Sequence, residues 1–187
     1  SKKIKNYLEK GNELHIEYNS KNENALGYFK VEIINPYTSK FFSDKIKLNC
    51  IVSTLELIKI LTVEGQENIR IYKLIDDLFI LLNKENWSYE YVFLELNLLK
   101  FIGFDLNIKD YCKHEIVDNS ERYYIENSQK KMIVPNFLVE DHRDDKISNQ
   151  DIYNSLTLIS EYMKKNIFIP NNINFPISRK IFINQFK

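Results

Sequence analysis

From Asn12 the chain alternates, with Leu14, Ile16 and Tyr18 on one side and Glu13, His15, Glu17 and Asn19 on the other. A period of two is the signature of a half-buried strand. After the polar stretch NSKNEN a second alternation sets Phe29, Val31 and Ile33 against Tyr28, Lys30 and Glu32, and it ends at Asn35-Pro36. Together these predict an antiparallel β unit. Two strands are too few to be stable alone in water, so the unit needs further strands or a body to lean on.

From Phe41 the spacing becomes helical. Ile46, Cys50, Ile51, Leu55, Ile58 and Leu61 recur at three- and four-residue steps, with Ser43-Asp44 as the cap and Gly65 as the stop. Ile71, Leu74, Ile75, Leu78, Phe79 and Leu82 predict a second helix, and YVFLELNLLKF a third, from Trp87-Ser88 to Gly103. Residues 110–140 lose this period, and RYYIENSQKKMIVP predicts a short hairpin turning near Asn127-Ser128. Helix resumes near Asn149, with Ile152, Leu156, Ile159 and Met163 on one side, and a last helix opens at Pro176. The fold class is therefore α+β: a β unit followed by a bundle of about five helices interrupted by a small hairpin.

Composition adds bounds. The 187 residues suffice for one ordinary domain and a sizeable core. With 26 basic and 26 acidic residues the formal charge is zero, so any contact with nucleic acid must be local. Two cysteines, Cys50 and Cys112, give neither a disulfide framework nor a zinc site, which fits a reducing, cytoplasmic compartment. No signal-peptide pattern and no membrane-length apolar run is present. The chain starts at Ser1 without a methionine and soon enters a strand pattern, which reads as a fragment lacking its upstream strands.

Candidate chemistry is sparse. His114 lies two residues from Cys112, half of a Cys/His dyad or zinc site with nothing at ligand spacing to complete it. EDHRDD, residues 140–145, gathers carboxylates around His142 but lacks the glycine turn of a calcium loop. No glycine-rich phosphate loop occurs. No cofactor is expected, and no enzymatic reaction. Lys2, Lys3, Lys5 and Lys10, with Tyr7 among them, are candidates for contacting single-stranded DNA, because clustered lysines neutralise phosphates and an aromatic ring stacks on bases.

Glu95 is the unusual residue of the third helix. Tyr91, Leu98, Leu99 and Ile102 surround it, while Glu90, Asn97 and Lys100 fall opposite. A carboxylate facing a core needs a partner. Of the four arginines, Arg70, Arg122, Arg143 and Arg179, the expected partner is Arg179, in FPISRK at the opening of the last helix. The competing reading is a catalytic acid of raised pKa.

YVFLELNLLKFIGFDLNIKDYC resembles the central helix of the bacterial recombination mediator family RecO, where a Phe-Glu-Leu stretch leads through two leucines to a Leu-Gly pair and a cysteine. PNFLVED resembles the segment after that family's hairpin, and YMKKNIFIP with FPISRKIF its closing helices. SKKIKNYLEKGNELHIEYN and GYFKVEII resemble the middle and a later strand of its N-terminal OB-fold. The resemblance implies that residues 1–40 are the remainder of an OB-fold and 41–187 a helical domain with its hairpin at about 110–140. It also implies a non-enzymatic role. Such a protein binds single- and double-stranded DNA, anneals strands, engages RecR and helps load the recombinase onto DNA coated by single-stranded DNA-binding protein, whose C-terminal tail the helical domain of some members takes up.

Some relatives carry a four-cysteine zinc site in the hairpin region. Cys112 stands in the first such place, and residues 113–134 hold no other cysteine, so no zinc is expected. The alternative to a mediator is a helical interaction module with no nucleic-acid role, its strands serving as a lid. A third reading, a hydrolase built on Cys112 and His114, needs those side chains within hydrogen-bond reach in a pocket.

Overall fold

The computed structural model describes residues 8–117, 120–127, 130–140 and 147–187. In order, these form β1 (Glu13–Asn19), β2 (Tyr28–Asn35), a 3₁₀ turn (Tyr37–Phe41), α1 (Lys45–Leu61), α2 (Ile69–Leu81) and α3 (Trp87–Phe101). There follow α4 (Ile108–Tyr111), β3 (Lys113–Val117), β4 (Ser120–Asn127), β5 (Lys130–Val134), α5 (Asn149–Met163), a π-helical turn (Lys164–Phe168) and α6 (Ile177–Ile183).

The helix ends are written locally. Asp44 caps α1, its Oδ1 accepting from the backbone N–H groups of Ile46 and Lys47, each at 3.1 Å. Ser148 and Asp151 close a reciprocal capping box at the start of α5. Helix α3 ends in a Schellman turn: Gly103 N–H bonds Lys100 O at 3.1 Å, Phe104 N–H bonds Leu99 O at 2.9 Å, and Gly103 takes φ +84°. Two expected boundaries move. Helix α1 stops at Leu61 because Thr62 is extended, short of the marked stop at Gly65. Pro176 is the cap before α6, with Ile177 its first helical residue.

Helices α1 and α6 pack together, α2 pairs with α3, and α5 lies against both α3 and β5. Their shared core includes Cys50, Leu57, Leu78, Leu82, Tyr91, Leu98, Leu156, Ile159 and Phe182, all buried. The expected hairpin is one part of a three-stranded antiparallel sheet, β3-β4-β5. Strand β3 carries only five residues, KHEIV, too few for alternation to stand out. Val134 and the partly buried Tyr123 and Ile125 pack on the core, while Lys113–Glu126 at 2.9 Å and Lys131–Glu115 at 2.6 Å tie the strands on the wet side.

Strands β1 and β2 form a separate two-stranded sheet, in which Leu14 faces Ile33, Ile16 faces Val31 and Tyr18 faces Phe29. All six apolar residues thus share one face. The expectation of a half-buried strand needs correcting: Ile16, Tyr18 and Phe29 are 54%, 59% and 64% exposed, because among the described residues no helix covers the far end of the ribbon. Its near end is held. Glu13 accepts from Asn35 Nδ2 at 2.5 Å and from the Tyr72 hydroxyl of α2 at 2.7 Å, and Tyr37 stacks on Phe79 at 4.5 Å. Gly11 takes φ +93° beside this junction, where a Cβ would fall 2.3 Å from Thr38 Oγ1.

Candidate functional site

At the centre of the helical body lies a charged cluster. Because α3 faces α5 and α6 over Tyr91 and Leu98, the position one turn after Tyr91 points inward, and Glu95 is 1% exposed. Arg179 of α6 is fully buried beside it. Its Nη2 donates to Glu95 Oε2 at 2.6 Å and its Nη1 to Oε1, a two-pronged grip. Two further donors are used: Nε reaches Ser160 Oγ at 3.1 Å and Nη2 the Leu156 carbonyl at 3.3 Å. The Tyr91 hydroxyl donates to Glu95 Oε1. The Thr54 hydroxyl lies 2.8 Å from both the Tyr91 oxygen and the Cys50 carbonyl and can donate to either.

Electrostatics agree with this geometry. Burial works against the Arg179 charge, but the Glu95 carboxylate outweighs it and leaves the guanidinium above its usual pKa. Burial, and then the Glu95 charge, pushes the Tyr91 hydroxyl and the Cys50 thiol well up, so both stay protonated. With Glu95 sealed from solvent, the cluster ties α1, α3, α5 and α6 together through buried hydrogen bonds.

The remaining expected sites are dispersed. Lys2, Lys3 and Lys5 lie outside the described residues, as do residues 141–145 of the acidic loop, His142 among them. Lys10 is described: its ammonium sits 3.0 Å from Glu56 Oε1 of α1, with the side chain 62% exposed. Ser178 of α6 donates to the other Glu56 oxygen. Hydrogen bonds from Ser178 and Lys10, with the charges of Lys10 and Lys59, hold the Glu56 carboxyl below its usual range. The Cys112 thiol donates to the Lys113 carbonyl at 3.7 Å, and burial raises its pKa, the opposite of what a nucleophile needs. His114 stands on β3 beside the Tyr123 ring. Among the described residues, no three of His, Cys, Asp and Glu come together as a metal site would require. No helix among them is long and apolar enough to cross a membrane.

Two hollows remain. The larger, about 470 Å³, is an open groove between α2 and α3, floored by Leu74, Leu81 and Leu94. The smaller, about 190 Å³, lies where α5 and the π turn meet β4 and β5. Leu106, Ile125, Met132 and Leu158 form its apolar wall, while Tyr111, Tyr162, Lys165 and Asn166 bring polar groups to its edge. Glu161 at this edge is bound by Lys164 at 2.5 Å. The wider π turn, closed by Ile169 N–H on Lys164 O at 2.9 Å, carries Lys165 and Asn166. Sequence reading misses this pocket, because its walls come from four separate segments. The only local sign is a pair of lysines just after the apolar stripe of α5.

Comparison with known proteins gives this architecture a lineage. Residues 43–162 match the family described as "Recombination protein O C terminal". A protein of Ehrlichia chaffeensis named "DNA repair protein RecO" is 26% identical over 188 residues, covering 92% of this chain and 77% of its own length. One of the same name from Rickettsia canadensis is 25% identical over 185 residues, covering 91% and 75% respectively. Another, from Wolbachia sp. subsp. Drosophila simulans, is 26% identical over 196 residues, covering 92% and 79%. No solved structure matches significantly. The family match spans most of the chain, from the cap of α1 to the end of α5, and so the chain belongs to the RecO family of DNA repair and recombination.

Proposed function

We propose that this protein is a recombination mediator that acts by holding DNA and docking proteins, with no bond chemistry of its own. In this reading residues 1–40 are what remains of an OB-fold and 41–187 the helical docking domain. The chain binds single- and double-stranded DNA, anneals complementary strands, engages RecR and helps place the recombinase on coated single-stranded DNA. The observation that carries the docking half is the pocket between α5, its π turn and the β4–β5 sheet. At about 190 Å³ it is small for a metabolite but large enough for one bulky apolar side chain, and Lys165 at its edge suits a carboxylate. A C-terminal tail that ends in a bulky apolar residue offers both groups on that residue, and we assign this pocket to the tail of the single-stranded DNA-binding protein.

The DNA half rests on Lys2, Lys3, Lys5 and Lys10 and on the ribbon, where the exposed rings of Tyr18 and Phe29 stand 5.1 Å apart. Fluorescence anisotropy tests both halves. A labelled tail peptide should bind the protein, and Lys165→Glu should weaken that binding about tenfold, in line with the loss of a charge-assisted contact. Unchanged affinity would remove the pocket assignment. In a salt titration with a single-stranded oligonucleotide, changing Lys2, Lys3 and Lys5 to glutamate should lower both affinity and salt slope. Unchanged values would favour a helical interaction module without a nucleic-acid role.

A further inference from the structure

The tail pocket leaves another face of the helical body without a task. No Asp or Glu follows Glu161, whereas Lys164, Lys165, Arg179, Lys180 and Lys187 do. Arg179 is spent inside on Glu95 and Lys164 on Glu161, which leaves Lys165, Lys180 and Lys187 exposed. On α6, Phe182, Ile183 and Arg179 turn into the core, and the opposite side presents Ile177 and Ile181 one turn apart, 73% and 47% exposed.

Successive positions around the helix put Lys180 on one flank of this isoleucine ridge and Ser178 on the other. Beyond Ser178 lies Glu56, whose single negative charge is met by Lys10 at 3.0 Å and by the nearby Lys59. The result is an apolar ridge with surplus positive charge on both sides.

We propose that the outer face of α6 docks an acidic amphipathic helix of a partner protein, with that helix's apolar stripe on Ile177 and Ile181 and its flanking carboxylates toward Lys180 and toward Lys10 and Lys59. Charge complementarity selects this occupant. A second copy of the same face would bring lysines against lysines. Nucleic acid is a poorer fit, because isoleucine offers no flat ring for base stacking. An anionic bilayer is also a poorer fit, because two isoleucines on a seven-residue helix are far less than the apolar face an interfacial helix buries. Amphipathic helix recognition through i, i+4 anchors needs no more than this ridge offers.

The test uses the full chain and two synthetic 20-residue helical peptides with the same leucine stripe, one flanked by glutamates and one by lysines. By anisotropy, the glutamate peptide should bind at least tenfold more tightly than the lysine peptide. The double variant Ile177→Asp/Ile181→Asp should lose this binding, and Lys180→Glu should weaken it severalfold. All three positions are exposed, so the circular dichroism melt should remain that of the parent. A retained melt with lost peptide binding supports the docking face. Equal binding of the two peptides, or binding indifferent to the isoleucine changes, would overturn it. It would also be overturned if a single-stranded 30-mer or phosphatidylglycerol vesicles, rather than the glutamate peptide, bound in a manner lost with Lys180→Glu. The tail-pocket variant Lys165→Glu should leave the glutamate peptide's affinity unchanged, so the two docking assignments can fail separately.

Discussion

The β1–β2 ribbon and the centre formed by α3, α5 and α6 treat charge and apolar surface in opposite ways. In the ribbon, Tyr18 and Phe29 face water, and Lys30 meets Glu32 at 3.1 Å and Glu17 at 3.9 Å with all three side chains well exposed. In the centre, Glu95 and Arg179 are sealed among leucines, and all three guanidinium nitrogens of Arg179 donate to acceptors there. The same kind of ion pair therefore has two different consequences. In water it is nearly neutral to stability. Sealed in the core, it fixes how three helices meet, because neither partner can be removed without stranding the other. The centre is built to stay closed. The ribbon presents surface that the helical body does not use, which suits contact with something else.

Removing one partner of the buried pair is the most direct way to break this contrast. Arg179→Met leaves the Glu95 charge in the core without compensation and should cost about 3–5 kcal/mol in chemical denaturation. Replacing both, Glu95→Leu with Arg179→Met, should recover most of that loss, because a pair of apolar side chains of similar volume is often as stable as a buried pair of charges. If the double variant is as unstable as the single one, the pair's role lies in its hydrogen bonds to Ser160 and Leu156 rather than in mutual neutralisation. Tyr91→Phe asks the same question more gently. It removes the hydroxyl between Thr54 and Glu95 and keeps the ring, which packs edge-on to Phe182 at 5.2 Å. A loss of about 1.5–3 kcal/mol is expected for removing a buried hydrogen bond to a charged carboxylate, and a loss below about 0.5 kcal/mol would show that the hydroxyl is not part of the cluster.

Much of the closed centre can be read in the chain, and less of the open parts. The stripe around Tyr91 and Leu98 places Glu95 inward, and an inward carboxylate demands a cation, a requirement visible without coordinates. That Thr54 and Ser160 complete its surroundings is not visible, because they lie on α1 and α5 and reach it only through helix packing. The β1–β2 register is legible because alternation fixes which residues share a face, yet alternation cannot say whether anything covers that face. Strand β3 is too short to reveal its period, and the π turn after Met163 has no compositional signal. The smaller pocket draws its walls from four separate segments, the π turn among them, which is why they escape sequence reading.

Glu56 lies between these extremes, partly exposed but held by Ser178 of α6 and by Lys10 from the segment leading into β1. Its folded-state pKa is depressed, so the folded chain binds a proton less readily here than the unfolded chain does. The stability it contributes is present above the unfolded value near 4.5 and is lost as pH falls through the folded value. The gap in denaturation midpoint between the parent and Glu56→Gln should therefore be widest at neutral pH and should close below about pH 4. A gap that stayed constant from pH 7 to pH 3 would mean that Glu56 acts through packing and not through its charge.

Phe29→Ala gives the smallest change and the sharpest reading of the ribbon. Its ring is 64% exposed and touches mainly Tyr18, tilted by 49° at 5.1 Å. Truncation should cost less than about 1 kcal/mol, the range for an aromatic pair with little burial behind it. Phe182→Ala in the centre should cost about 3–5 kcal/mol, since that ring is fully buried and packs on Tyr91 and Phe186. The ratio between these two losses measures how far the ribbon stands apart from the body. Comparable losses would mean that the ribbon's apolar face is packed in solution, and its aromatic pair would then be unavailable to stack on bases. A small loss for Phe29→Ala, accompanied by weaker oligonucleotide binding, would separate the ring's part in recognition from any part in folding.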